Sequence, residues 1–236
     1  MRRLLPIALR RGYRLLQRHL ADWRTGLHRT FAARGRHLPD RYCLRIAQSL
    51  GHSALLDNKV ANLRLGIAGI EPLVIGPGEV FSFWRAVGRP SARRGFRQGR
   101  NLIGGELRAD TGGGLCQLAG ILYHLSLLAG LEVLERHPHS RDIYAEHERY
   151  TPLGADATVV YGYKDLRIRN NQAAPLRFAL HLDAGHLVCT LWSDAPLTQH
   201  NICFERLGGQ DRETVRTLRV SAVGTEVLAL SVYRRD

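Results

Sequence analysis

Between Thr111 and Leu118 the chain reads Thr-Gly-Gly-Gly-Leu-Cys-Gln-Leu, placing three consecutive glycines before an apolar run and Cys116 at its start. Glycine admits left-handed backbone and close approach of a ligand. The first N–H groups of a helix lack intrahelical partners and attract negative charge. A thiol at that place is stabilised as thiolate, its pKa drawn from ~8.5 toward ~3.5–7.5. The same amides suit an oxyanion. A nucleophilic cysteine also needs a base and a group that orients it. Glu135-Arg136-His137-Pro138-His139-Ser140-Arg141-Asp142 offers two histidines and an acid. Plainer roles fit the same residues: the glycines form a tight turn, and a histidine caps a helix C-terminus. A metal site from Cys116, His137 and His139 ranks last, because no second ligand pair has zinc-like spacing. No cofactor is expected.

These groups have to be carried by regular elements. Leu115 to Leu134 is apolar nearly all round, interrupted by Gln117, His124 and Ser126, and predicts a helix buried in the centre of the domain. Gly120 and Tyr123 fall on the side of Cys116, which leaves room above the sulfur. The stretch from Gly66 to Gly114 is rich in glycine and proline around short apolar runs, as expected of strands and loops. Downstream, Leu166 and Ile168, then Phe178, Leu180 and Leu182, alternate with polar or small residues. Ala184-Gly185 supplies a turn into Leu187–Trp192, and a last hairpin is expected around Gly224. Upstream, short helices are expected from Asp57 to about Leu65 and around Tyr42–Ser49. The fold class is therefore α+β, a basic helical segment followed by a mainly antiparallel sheet packed on one central buried helix at about 115–134. The expected division is a basic helical segment, 1–57, and a domain, 58–236.

A chain of 236 residues that is 44% hydrophobic fills one core, possesses too much apolar side chain for disorder, and has no run of ~18–20 apolar residues to cross a bilayer. Its charge is uneven: 34 Lys and Arg against 21 Asp and Glu give +13. Residues 1–50 alone hold twelve arginines against Asp22 and Asp40, a net +10. In that segment Leu5, Leu9, Tyr13, Leu16, Leu20, Trp23, Leu27 and Phe31 recur at helical spacing. The stripe is expected to pack on the protein's own core with its arginines solvated. The alternative places residues 4–31 on an anionic membrane surface. Nucleic acid is not an expected partner, since no recognition motif accompanies the charge. Leu4–Leu9 falls short of the ~7–15 apolar residues of a signal peptide, so no cleavable export signal is read and a cytoplasmic or peripheral membrane location is expected. Cys43, Cys116, Cys189 and Cys203 form no C-x-x-C pair. Cys43 on a helix and Cys189 in a strand are expected to be buried small apolar residues.

Several segments, in order, resemble the VanW family: Pro77-Gly78-Glu79-Val80-Phe81-Ser82-Phe83, Val87-Gly88-Arg89, Gly95-Phe96, Gly112 to Leu118, Glu135-Arg136 with His139-Ser140, and Gly154 to Val159 with Asp165-Leu166-Arg167. The likeness runs from about Asn58 to Trp192. The family is named after an accessory protein of glycopeptide-resistance gene clusters. The resemblance implies a cell-envelope connection, with a peptidoglycan peptide or precursor as partner. Some members look like L,D-transpeptidases that work through a cysteine acyl-enzyme. Carried onto this chain, it implies Cys116 as nucleophile and His139 as base, the position of His137 being often aromatic in relatives. Asp142, Asp156 or Asp165 would orient the imidazole. Gly112, Gly113, Gly114 and Gln117 would meet the substrate or its oxyanion, and Arg136 and Arg141 would pair with stem-peptide carboxylates. Relatives commonly carry Ser or Asn where this chain has Ala119-Gly120. A second reading is a binding module whose glycine loop grips a carboxylate or phosphate without chemistry.

Overall fold

The computed structural model describes residues 6–34, 40–51, 53–103, 106–142 and 149–234. Helix α1 (Ile7–Arg24) ends before Gly26, whose φ of 74° turns the chain into a short 3-10 turn over Leu27–Arg29. Strands β1 (Ala33–Arg34) and β2 (Tyr42–Ser49) follow, then α2 (Leu56–Ile70), β3 (Leu73–Val74), β4 (Val80–Ser82) and α3 (Phe83–Val87). A hairpin of β5 (Gln98–Ile103) and β6 (Glu106–Thr111) leads through the triple glycine into α4 (Leu115–Leu128). Then come β7 (Glu132–Glu135), β8 (Arg167–Arg169), β9 (Leu176–Asp183), β10 (His186–Ser193), β11 (Asn201–Gly208), β12 (Arg212–Ser221) and β13 (Gly224–Arg234).

The longer strands make two antiparallel three-stranded sheets, ordered β2-β10-β9 and β11-β12-β13, with a smaller sheet β4-β8-β7. The β9–β10 turn is Ala184-Gly185, both at positive φ (43° and 81°), the backbone a two-residue hairpin requires. Helix α4 packs on β2, β10 and α2. All its residues except Cys116, His124 and Leu128 are buried, as its nearly uninterrupted apolar composition requires. It stops at Leu128 rather than Leu134, because Gly130 at φ 68° reverses the chain and Glu132–Glu135 pairs with β8.

Tyr42–Ser49 is a strand, not a helix. Leu44, Ile46 and Gln48 turn inward with a period of two, and all eight residues pair with β10. YCLRIAQS fits helical spacing as well as alternation, so the ladder offered by β10 decides between them. Cys43 is consequently exposed, whereas Cys189 on β10 is fully buried. Residues 1–57 are thus not a purely helical segment, since β1 pairs with β3 and β2 joins the central sheet.

The apolar stripe of the first helix does not pack on the core. Leu9, Tyr13, Leu16, Leu20 and Trp23 are exposed. The opposite face meets the domain through Leu15, Arg11, Arg18 and Asp22, with Arg11 and Leu15 against Gly162. Phe31 lies beyond α1 and stacks beneath Arg85, 4.1 Å from its centroid. Leu5, at the start of that stripe, and residues 35–39 lie outside the described residues.

Candidate active site

Gly112, Gly113 and Gly114 form the tight approach to α4. Gly112 (φ 91°) donates to the Arg97 carbonyl (3.0 Å) and sits against Pro90. A Cβ on Gly99 would lie 2.9 Å from the Gly113 backbone, so β5 and the loop touch main chain to main chain. Gly114 caps α4 at φ 98°, with the Lys59 stem where its Cβ would be. Asn62, fully buried on α2, fastens this turn: its amide donates to the carbonyls of Gly113 (2.9 Å) and Arg97 (3.0 Å) and accepts from Arg97 N–H (2.7 Å). Gly114→Ala combines a backbone that L-residues resist with a 2.7 Å clash on Lys59 Cγ. It is expected to cost about 1–3 kcal/mol in urea unfolding.

Cys116 stands in the first turn of α4, partly exposed, its Sγ 3.9 Å from the Val159 carbonyl and beside the His139 ring, with which it interacts electrostatically. His139 Nδ1 lies 2.6 Å from Asp156 Oδ2, which also accepts the His139 backbone N–H (2.8 Å). With Nδ1 held by the carboxylate, Nε2 is the nitrogen left for the thiol. Asp156 Oδ1 accepts from Arg136 (2.9 Å) and from the Tyr233 hydroxyl (2.5 Å). Arg136 also donates to the carbonyls of Asp156 (2.7 Å) and Gly154 (3.0 Å) and to Ser231 Oγ (2.5 Å), with its guanidinium over the Tyr123 ring. The residue 136–142 segment is stitched on one side to 154–159 by Thr158 N–H to the His137 carbonyl (2.7 Å). On the other it meets β13 through Arg234 N–H to the Ser140 carbonyl (3.0 Å).

Charge follows from these contacts. Burial works against the imidazolium, but Asp156 and Cys116 outweigh it and raise His139 to about 10. Burial would raise the Cys116 thiol, yet the bond and charge of His139, with Val159, bring it below its ordinary value against the repulsion of Asp156. Asp156 is buried, which disfavours its charge, but His139, Arg136 and Tyr233 hold it far below the usual carboxylate range. These contacts favour the thiolate on Cys116 and the imidazolium on His139, beside an ionised aspartate.

The structure brings Cys116, His139 and Asp156 together and sends the other acids elsewhere. Asp142 pairs with Arg149 and donates its N–H to the Arg234 carbonyl. Asp165 is bound by Ser82 (2.6 Å), the Trp84 N–H (3.0 Å) and Arg167 (3.2 Å). His137 turns to Glu135 Oε1 (3.1 Å). Arg136 cannot meet a substrate carboxylate, because its side chain is 5% exposed and spent on Asp156 and its neighbours. Gln117 is buried, its amide donating to the Ser49 carbonyl (2.8 Å), so it ties α4 to β2. Arg141 bridges to Arg234 on β13. The space pictured above the sulfur beside Gly120 and Tyr123 is filled: Gly120 packs on Ala155–Ala157, and Tyr123 is buried under Arg136. Among the described residues, no group of three His, Cys, Asp or Glu is placed to hold a metal ion.

A profile described as "VanW like protein" matches residues 58–192, more than half of the chain. The chain belongs to the VanW family. It is 33% identical over 132 residues to "Uncharacterized protein YoaR" of Bacillus subtilis (strain 168), which covers 56% of this chain and 42% of that protein. It is 31% identical over 138 residues to "Vancomycin B-type resistance protein VanW" of Enterococcus faecalis (strain ATCC 700802 / V583), covering 58% of this chain and 50% of that protein. The matched region thus spans half or less of these curated relatives. No solved structure matches the chain.

The VanW segment holds Cys116, His139, Asp156 and Arg136, but the site draws on residues outside it. Ser231 and Tyr233 come from β13, where alternate burial turns both inward while Val232 and Arg234 face out. Sequence reasoning missed them because they lie in a strand with no motif. It also missed Asn62, for which a signal existed: a polar side chain among Leu63, Gly66, Ile67 and Ile70 on the buried face of α2.

Proposed function

We propose that this VanW protein is a cysteine-dependent acyl transferase acting on peptidoglycan stem peptides or their precursors. The observation that carries this is Cys116 at the amino end of α4 beside His139, whose ring is held by Asp156 at 2.6 Å. The substrate class is supported by the family and by the Enterococcus faecalis relative, which is named for vancomycin resistance.

The steps follow from the pair's charge. Cys116 Sγ adds to a peptide carbonyl carbon, and the carbonyl π pair moves onto oxygen. The N–H of Cys116 takes no carbonyl acceptor among the described residues and is available to that oxyanion, aided by the positive end of α4. As the intermediate collapses, the C–N bond breaks and His139 gives its proton to the departing amine, leaving a thioester on Cys116. An amine or water then yields a proton to His139, adds to the thioester and expels the thiolate. Asp156 keeps the imidazole in one tautomer and orientation throughout.

Intact-mass analysis after incubation with peptidoglycan fragments tests the proposal. The wild type is expected to gain one acyl adduct, and Cys116→Ala to gain none while melting at the same temperature. Fragment binding by both proteins with no adduct on either would replace acyl transfer by the binding-module reading.

A further inference from the structure

We propose that α1 is an in-plane anchor that docks this protein on an anionic lipid bilayer through its outward apolar face. The helix presents two faces of opposite design. Leu9, Tyr13, Leu16, Leu20 and Trp23, spaced by three and four, are 60, 59, 55, 45 and 68% exposed. A row of five large apolar side chains on one helix face is what a soluble surface avoids and a headgroup boundary accepts.

The inward face shows that this exposure is built in. Arg18 reaches Glu135 with both guanidinium arms (2.9 and 2.6 Å), and Arg167 clasps both oxygens of Asp22 (2.6 and 3.0 Å). Glu135 is drawn down to about 2, its burial outweighed by His137, Arg18 and the Asp165 N–H. These pairs fix the rotation of α1 about its axis, so the charged side faces the domain and the apolar side faces away.

Charge selects the occupant. Residues 1–50 carry twelve arginines and only two acids, and both acids are consumed, Asp22 by Arg167 and Asp40 by Arg177 (2.6 Å). Arg24, exposed next to Trp23, flanks the stripe and can reach headgroup phosphates while Trp23 sits at the boundary. A second copy meeting the stripe would bring two such basic segments together without neutralising either, whereas an anionic surface neutralises them. No helix among the described residues is long and apolar enough to cross a membrane, and α1 has 18 residues, so docking is in the plane.

Flotation of the full chain tests this. With vesicles carrying about 30% phosphatidylglycerol in phosphatidylcholine, the wild type is expected in the floated fraction about tenfold over neutral vesicles. Salt of about 0.5 M should reduce the recovery. Leu16→Glu with Leu20→Glu, both exposed and away from the domain, should abolish flotation while keeping the wild-type melting temperature. Wild type that stays unfloated, equal recovery on neutral vesicles, or a floating double variant would overturn the proposal. A concentration-dependent dimer that the double variant abolishes, without flotation, would overturn it by assigning the stripe to a second copy.

Discussion

Replacing Asp156 by asparagine is expected to destabilise the fold by about 3–5 kcal/mol, the range for removing one partner of a buried ion pair. Asp156 is the point where three elements meet: His139 on one oxygen, Arg136 and Tyr233 on the other. Without the carboxylate, Arg136 stays as a cation with 5% of its side chain exposed and its ion pair with Asp156 gone. The loss depends on pH with a definite sign. The depressed pKa of Asp156 makes its contribution present above the unfolded value of ~4 and lost only as pH falls through the folded one. The raised pKa of His139 makes its contribution full below ~6.5 and lost as pH rises through about 10. The gap between wild type and Asp156→Asn is therefore widest near pH ~5–6.5 and narrows toward 10, where the Arg136 contribution remains. Urea midpoints at the two ends of that window check it, and a gap that widened with pH would contradict the assignment. Tyr233→Phe, which deletes a single donor to the same carboxylate, should cost only ~1 kcal/mol.

The second large effect concerns reactivity. Iodoacetamide is expected to label Cys116 well below pH ~8, faster than the exposed Cys43 and Cys203, and Cys189 last. Cys189 is enclosed by core and its thiol is pushed up by burial alone. Cys116 is held below the ordinary thiol value because His139 offsets its burial. In His139→Ala the burial and the charge of Asp156 remain and the offset is gone. Labelling near pH ~6.5 should then slow at least about tenfold and its midpoint move upward, one pKa unit being a tenfold change in thiolate. Site-resolved mass spectrometry across pH measures both. Equal, sluggish labelling of all four thiols, or no response to His139→Ala, would remove the thiolate–imidazolium pair from the account.

Much of the architecture was legible in residue order. The run Leu115–Leu128 has no polar face, so it had to be buried, and Ala184-Gly185 between two alternating runs had to be a hairpin. The errors fall where local pattern is ambiguous. Tyr42–Ser49 carries both periods, and only the neighbouring strand β10 selects one. The stripe from Leu9 to Trp23 showed that α1 is amphipathic, but not which face the domain would take. Two bidentate ion pairs reversed the usual orientation, since Glu135 and Arg167 offered α1 charged partners rather than an apolar groove.

Sequence alone determined the chemistry available: a cysteine behind three glycines, histidines after the helix, acids nearby, and the family to which they belong. The tertiary structure decided which of them form a site. Cys116 and His139 are 23 residues apart and Asp156 a further 17, so no spacing rule chooses Asp156 over Asp142 or Asp165. The choice came from the loop that Gly120 lets pack against α4, which sets Asp156 against the His139 ring, and from Arg136 and Tyr233, which hold its other oxygen. A chain lists its groups by order, but pKa values and proton paths depend on distance and burial, and those exist only once β13, α4 and the 154–159 segment have closed around one another.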